Sequence, residues 1–274
     1  MISRDFLTEW RRLVPWPRDV QVEMDLIISR ALVEIYSLPS IQKALAFRGG
    51  TALYKIHIVP PPRFSEDIDL VQIRRERIGE TLNSLRTVLD PWMGNPRRDF
   101  SEGNVKLIYR LTSGGTPPQT MRLKIEINTQ EHFAVRGYET RSLKVNSRWF
   151  SGTADITTYG LEELLATKLR ALYQRKKGRD LFDLWYALQH ANVSAENVTD
   201  VFQAYMEQEG HRVSRAEYEK NLARKIFEKR FIADIGDLLA PGTAYDQMAA
   251  YKMVSSTLVE RLPGDPWRGD GSQQ

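Results

Sequence analysis

The chain has 274 residues, of which 42% are hydrophobic and 27% charged, and its formal net charge is +4. That size suits one large domain or two modest ones, with enough apolar residues for a proper core. Zero cysteines exclude a disulfide framework, a thiolate metal site and a cysteine nucleophile.

Four scattered histidines (His57, His132, His190 and His211) offer no ligand pair at helical spacing, so no zinc site is expected. Apolar runs are only a few residues long, and no membrane-spanning helix fits them. The start, Met1-Ile2-Ser3-Arg4-Asp5, carries charge with no apolar stretch behind it. No secretory leader is expected, and the expected location is cytoplasmic. The small positive excess is unevenly spread, with clusters at Arg97-Arg98, Arg170, Arg175-Lys176-Lys177, Arg179 and Arg224-Lys225. Such clusters are either solvated faces or contacts for a polyanion.

In chain order, residues 20–36 form an amphipathic helix, with Met24, Ile27, Ile28, Ala31, Leu32 and Ile35 at the 3.6-residue period. Pro39 ends it. Residues 45–47 form a short strand that runs into Gly49-Gly50-Thr51, and a helix follows over 51–58, stopped by Pro60-Pro61-Pro62. The next strand, 67–71, carries Asp67 and Asp69 at alternate positions, so both project from one face while Ile68 and Leu70 turn to a core. Adjacent carboxylates repel unless a cation lies between them, and hard oxygen ligands suit Mg²⁺ beside substrate phosphates. A turn without Cβ atoms lets backbone N–H groups and the Thr51 hydroxyl approach a phosphate. These parts together suit a site for moving a nucleotide.

Residues 77–89 read as a helix closed by Pro91, followed by strands at 105–111 and 121–128 across a Gly/Pro loop. In the second strand Leu123, Ile125 and Ile127 face one side and Arg122, Lys124, Glu126 and Asn128 the other. By alternation alone, Glu126 is either part of an exposed polar face or a third carboxylate. From Leu161 onward the chain is almost wholly helical. Lys168 falls in the apolar stripe of Leu161, Leu164, Leu165 and Leu172, where an ammonium costs desolvation unless it snorkels or meets an anion. Asp180 is placed to cap the next helix, with Asp183 one turn inside it.

The order Phe47-Arg48-Gly49-Gly50-Thr51-Ala52-Leu53, then Arg63-Phe64-Ser65-Glu66-Asp67-Ile68-Asp69-Leu70, resembles the AbiEii/AbiGii toxin family of the DNA polymerase β-type nucleotidyltransferase superfamily. Thr51 stands where the superfamily has Ser, and the spacer before Asp-x-Asp is longer, which is closer to the AbiEii branch. Lys168-Leu169-Arg170 followed by Arg179-Asp180-Leu181-Phe182-Asp183-Leu184 is similar to the same branch. The resemblance covers about residues 46–188.

It implies an α/β (α+β) fold with a nucleotidyltransferase-type mixed-sheet core and an N-terminal helix (1–155); the periodicity and composition beyond it give a helical C-terminal region (156–263) and a polar tail expected to be disordered (264–274). It further implies Mg²⁺ on Asp67, Asp69 and Glu126, and NTP contacts from Gly49, Gly50, Thr51, Arg63, Ser65 and Lys168. Catalytic roles then fall to Asp67, Asp69, Glu126 and Lys168, with Asp180 or Asp183 orienting Lys168 or the nucleotide. The implied activity is transfer of nucleotides from an NTP to RNA, at the tRNA 3′ acceptor end, blocking translation as a toxin or phage-defence enzyme. A separately encoded antitoxin is the implied partner. Nucleotidylation of a protein or small molecule, or a non-catalytic NTP- or RNA-binding regulator, are the alternatives. Ser65 reads as a hydrogen-bonding turn residue or, alternatively, as a phosphorylation switch beside the acids.

Overall fold

A computed structural model describes residues 2–115 and 117–269. The chain divides into two compact units, Met1–Tyr159 and Gly160–Gln274.

In the first unit the elements run α1 (Arg4–Trp10), α2 (Asp19–Tyr36), α3 (Pro39–Ala44), β1 (Leu45–Arg48), α4 (Gly49–Ala52), β2 (Asp67–Gln72), α5 (Gly79–Met93), β3 (Arg97–Ser101), β4 (Asn104–Thr112), β5 (Thr120–Asn128), β6 (Tyr138–Asn146) and β7 (Ser151–Tyr159). A π-helical turn, Leu53–His57, prolongs α4. The strands form one mixed sheet of order β3-β4-β5-β2-β1-β7-β6. The β2–β5 and β1–β7 pairs are parallel, and the others antiparallel. Ile68 and Leu70 of β2, Leu107 and Tyr109 of β4, and Leu123, Ile125 and Ile127 of β5 are buried. Their alternates carry the charged residues described below.

Helix α2 departs from the amphipathic expectation. Val22, Leu26 and Val33, outside the predicted stripe, are buried along with it, because α1 and α5 pack on the helix as well as the sheet. A helix covered all round must also satisfy its polar residues. The buried Asp25 accepts hydrogen bonds from the indoles of Trp10 and Trp16, each at 2.9 Å, and pairs with Lys55 at 2.8 Å. Glu23, equally buried, accepts from the backbone N–H of Ile2 and Gly114. Asp25→Ala strips two indoles and an ammonium of one acceptor. The expected cost is about 3 kcal/mol of stability, read from urea denaturation.

Strands β3, β6 and β7 and helix α1 lie outside the sequence reading. All five residues of β3 are exposed, so no apolar alternation marks it. Helix α5 continues to Met93 with Pro91 inside it, beyond the predicted stop. Strand β7 runs through residues 155 and 156, so the expected division falls inside a strand whose Thr and Ile residues favour the extended state.

The second unit holds α6 (Leu161–Gln174), α7 (Gly178–His190), α8 (Ala195–Gln208), α9 (Arg215–Lys225), α10 (Lys229–Ala233) and α11 (Gln247–Thr257). Helix α6 packs on α7, α8 and α9, and α11 packs on α7. Asp180 is the third residue of α7 rather than its cap, which is Lys177. Residues 264–269 are in neither helix nor strand, and 270–274 of the expected tail lie outside the described residues. Among the described residues no helix is long and apolar enough to cross a membrane.

Lys225 closes α6: buried, it donates to the carbonyl of Leu172 at 2.7 Å and to that of Tyr173. Burial, reinforced by Lys176, pulls its pKa from 10.5 down to about 8. Between those values the unfolded chain holds a proton that the folded chain has released, so Lys225 makes stability rise with pH across that window. Melting curves from pH 8 upward should show this rise in the wild-type chain and lose it in Lys225→Met.

Candidate active site

Strand β1 ends at Arg48, and the chain reverses through Gly49 at φ +81°. A Cβ at Gly49 would stand 2.3 Å from Asp69 Oδ2, so only glycine lets the turn lie against that carboxylate. Behind the turn, a Cβ at Gly50 would stand 2.6 Å from the Arg63 guanidinium. Thr51 Oγ1 lies 2.5 Å from the Asp67 carbonyl and 2.8 Å from Ser65 Oγ. A carbonyl only accepts, so Thr51 donates to Asp67 and accepts from Ser65. The Thr51 side chain thereby ties the turn to the start of β2.

Thr51 and Arg63 are each only 2% exposed. Both side chains lie behind the turn, Thr51 bonded to Ser65 and Asp67, and Arg63 donating to the Phe64 carbonyl at 2.9 Å. The Ser65 hydroxyl donates to Thr51 Oγ1.

Strand pairing assembles the acids. In the parallel β2–β5 ladder Asp67 is opposite Lys124 and Asp69 opposite Glu126, so all four side chains leave one face. Arg48 lies opposite Asp69 across β1–β2 and pairs with Glu131 at 2.6 Å. Lys124 Nζ lies 3.0 Å from Asp67 and 3.2 Å from Glu126, and Lys106 is 3.7 Å from Glu126. Burial raises the Asp67 carboxyl above its ordinary value despite the opposing pull of Lys124. The Lys124 ammonium also moves up: burial works against it, but Asp67 and Glu126 prevail. The alternation Arg122, Lys124, Glu126 already signals Lys124 on this face, but nothing in the spacing of one strand distinguishes it from an exposed polar residue.

Among the described residues no three His, Cys, Asp or Glu side chains converge closely enough to hold a metal ion as they stand. The Asp67, Asp69 and Glu126 set nevertheless fits a divalent cation. Its donors are hard oxygens, and an ammonium already stands between two of them. Beside Asp67 opens a cleft of about 1030 Å³, lined by Arg18, Phe64, Asp67, Met121, Arg122 and Lys124 among others.

The second constellation lies wholly in the helical unit. Lys168 does not snorkel: its ammonium is buried 3.2 Å from Asp180 and 2.8 Å from Asp183. Arg175 also holds Asp180, at 2.7 Å. Burial raises the Asp180 carboxyl, but Lys168 and Arg175 outweigh it and the net direction is down. The rest of the basic loop is paired within the unit, Lys176 with Glu228 and Lys177 and Arg179 with Asp234. These cations are thus less available to a polyanion than their sequence suggests.

The family model for the nucleotidyl transferase AbiEii toxin, type IV toxin–antitoxin system, matches residues 30–252. The chain belongs to the AbiEii nucleotidyltransferase toxin family. It is therefore a transferase of the nucleotidyltransferase type and a toxin of the type IV class, which implies a separate antitoxin. Its fold is similar to that of MenT4, a nucleotidyltransferase toxin from Mycobacterium tuberculosis, with TM-score 0.60 and 15% identity over 97% of this chain and 92% of that one. It is also similar to JHP933 from Helicobacter pylori, with TM-score 0.53 and 16% identity over 86% and 89%. No curated protein matches the sequence. The AbiEii match spans both units, including the acid face and the Lys168 cluster.

Proposed function

We propose that this AbiEii-family chain transfers a nucleotide from an NTP to an RNA 3′ end, the tRNA acceptor end in particular, and so blocks translation. The observation that carries the reading is the single face on which Asp67, Asp69 and Glu126 meet beside the Gly49–Gly50 turn. The terminal RNA hydroxyl attacks the α-phosphorus, the bond to the bridging oxygen breaks, and pyrophosphate leaves. Asp67, Asp69 and Glu126 are the proposed holders of Mg²⁺, which when bound would neutralise charge on the reacting phosphate. Glu126 accepts the proton of the attacking hydroxyl in this proposal. Backbone N–H groups of Gly49 and Gly50 lie along the triphosphate, and Arg48 holds its strand end in place through Glu131.

The cleft beside Asp67 is the proposed path of the RNA. Its apolar lining at Phe64 and Met121 suits a base, and Arg18 and Arg122 suit backbone phosphates. The proposed setting is the cytoplasm, where NTP and tRNA are both present, with phage defence as one context.

Incubation of the chain with labelled NTP and total tRNA, with a protein extract, or alone separates the readings. The proposal expects label on RNA. Label on protein favours the protein-nucleotidylation reading, and label merely retained by the chain favours a non-catalytic regulator.

A further inference from the structure

The acid face carries a cation that the reaction above leaves without a task of its own. Lys124 lies in register with Asp67 and reaches across to Glu126, so one ammonium serves two carboxylates from adjacent strands. Lys106, by contrast, meets Glu126 alone. Like charges on one face repel, and Lys124 relieves that repulsion at the place where a divalent cation would do so. The lysine is not locked in: its side chain is 34% exposed and lines the cleft beside Asp67. A four-carbon stem lets the ammonium turn from the acids into that cleft.

We propose that Lys124 is a displaceable internal cation. It holds Asp67 and Glu126 together in the metal-free enzyme, gives way when a divalent cation binds, and then meets an RNA phosphate in the cleft. Two consequences follow from one movement. Metal binding must work against the Lys124 pairs, so the lysine weakens it. An RNA phosphate that draws Lys124 into the cleft relieves that competition, and by linkage RNA and metal tighten each other by the same factor. The acids would then be loaded mainly when the acceptor is present. This inference rests on the acid face taking a divalent cation, and the test keeps the two apart.

The test measures Mn²⁺ binding by calorimetry on the full chain and its variants, with and without a short single-stranded RNA. Lys124→Met should bind Mn²⁺ at least roughly tenfold more tightly than the wild type, since one competing charge is removed at contact distance. Lys124→Arg keeps the charge and should bind no more tightly. Lys106→Met removes an equal charge that bridges nothing and should change affinity far less. Added RNA should tighten Mn²⁺ binding in the wild-type chain and not in Lys124→Met. A Lys106→Met effect equal to that of Lys124→Met would reduce the matter to net charge and overturn the displacement. Affinity lost in Asp69→Asn yet unchanged in Lys124→Met would overturn the displacement and leave the cation site standing. Affinity unaffected by Asp69→Asn would overturn both.

Discussion

Asp69→Asn is expected to lower nucleotide transfer by roughly 10²–10⁴-fold, the equivalent of about 3–5 kcal/mol of transition-state stabilisation. Asn keeps the size and one acceptor oxygen, so the turn at Gly49 still closes against it, but the charge is gone. Asp67→Asn should fall into the same range, because Asp67 shares the face and lines the cleft. Both variants should melt within a few degrees of the wild type, since neither side chain is in the buried core. For Asp67 the change even removes a carboxylate whose pKa burial has pushed up. Toxicity in cells should disappear with the activity. Transfer at the wild-type rate in either variant, assayed with Mg²⁺ present, would rule the acid face out as the reaction centre. Glu126→Gln tests the third acid, whose position is set by strand pairing.

Lys168→Met carries the other large effect, and it falls on stability. The charge on this apolar stripe reads from sequence as one whose removal leaves the fold intact. The structure reverses that expectation. Asp180 and Asp183 are both completely buried, and the ammonium between them is their shared partner. Removing one member of a buried ionic cluster leaves uncompensated charge, which costs about 3–5 kcal/mol. Met keeps the stem, so the loss reports charge and not a cavity. Urea unfolding should therefore show a reduced midpoint for Lys168→Met, and Asp183→Asn in the same background should give part of the loss back. Independent, additive losses in that double-variant cycle would contradict a coupled cluster. Activity assayed at a temperature where the variant stays folded should be near normal, because the cluster braces the helical unit.

Much of the first unit was legible because its signals are local. The Gly49–Gly50 turn after a short strand, the alternate acids of β2 and the clean alternation of β5 each follow from sequence periods of one or two residues. The third acid was legible only through resemblance, since alternation places Glu126 on a face without saying what that face adjoins. The pairing of Asp69 with Glu126 is a long-range register, and a single strand does not contain it. Strands β3 and β6 lie at the sheet edges, with polar residues on both faces, and so carried no pattern to read. The Thr-rich β7 spans the expected boundary at residues 155 and 156, where the sequence shows no clean apolar alternation. The buried state of Arg63 and Thr51 is hidden for one common reason. Polar residues placed inside a fold by a specific partner have the same spelling as those placed outside by solvent.

The central claim is that this face moves a nucleotidyl group onto RNA, and the position of the label on the donor tests it most directly. Paired incubations of the chain with total tRNA and Mg²⁺ would use each NTP labelled at the α- or at the γ-phosphate, with Asp69→Asn in parallel. The account predicts α-label at the RNA 3′ end, γ-label released as pyrophosphate, and neither event in the variant. γ-Label on RNA or protein, or α-label that persists in Asp69→Asn, would contradict it.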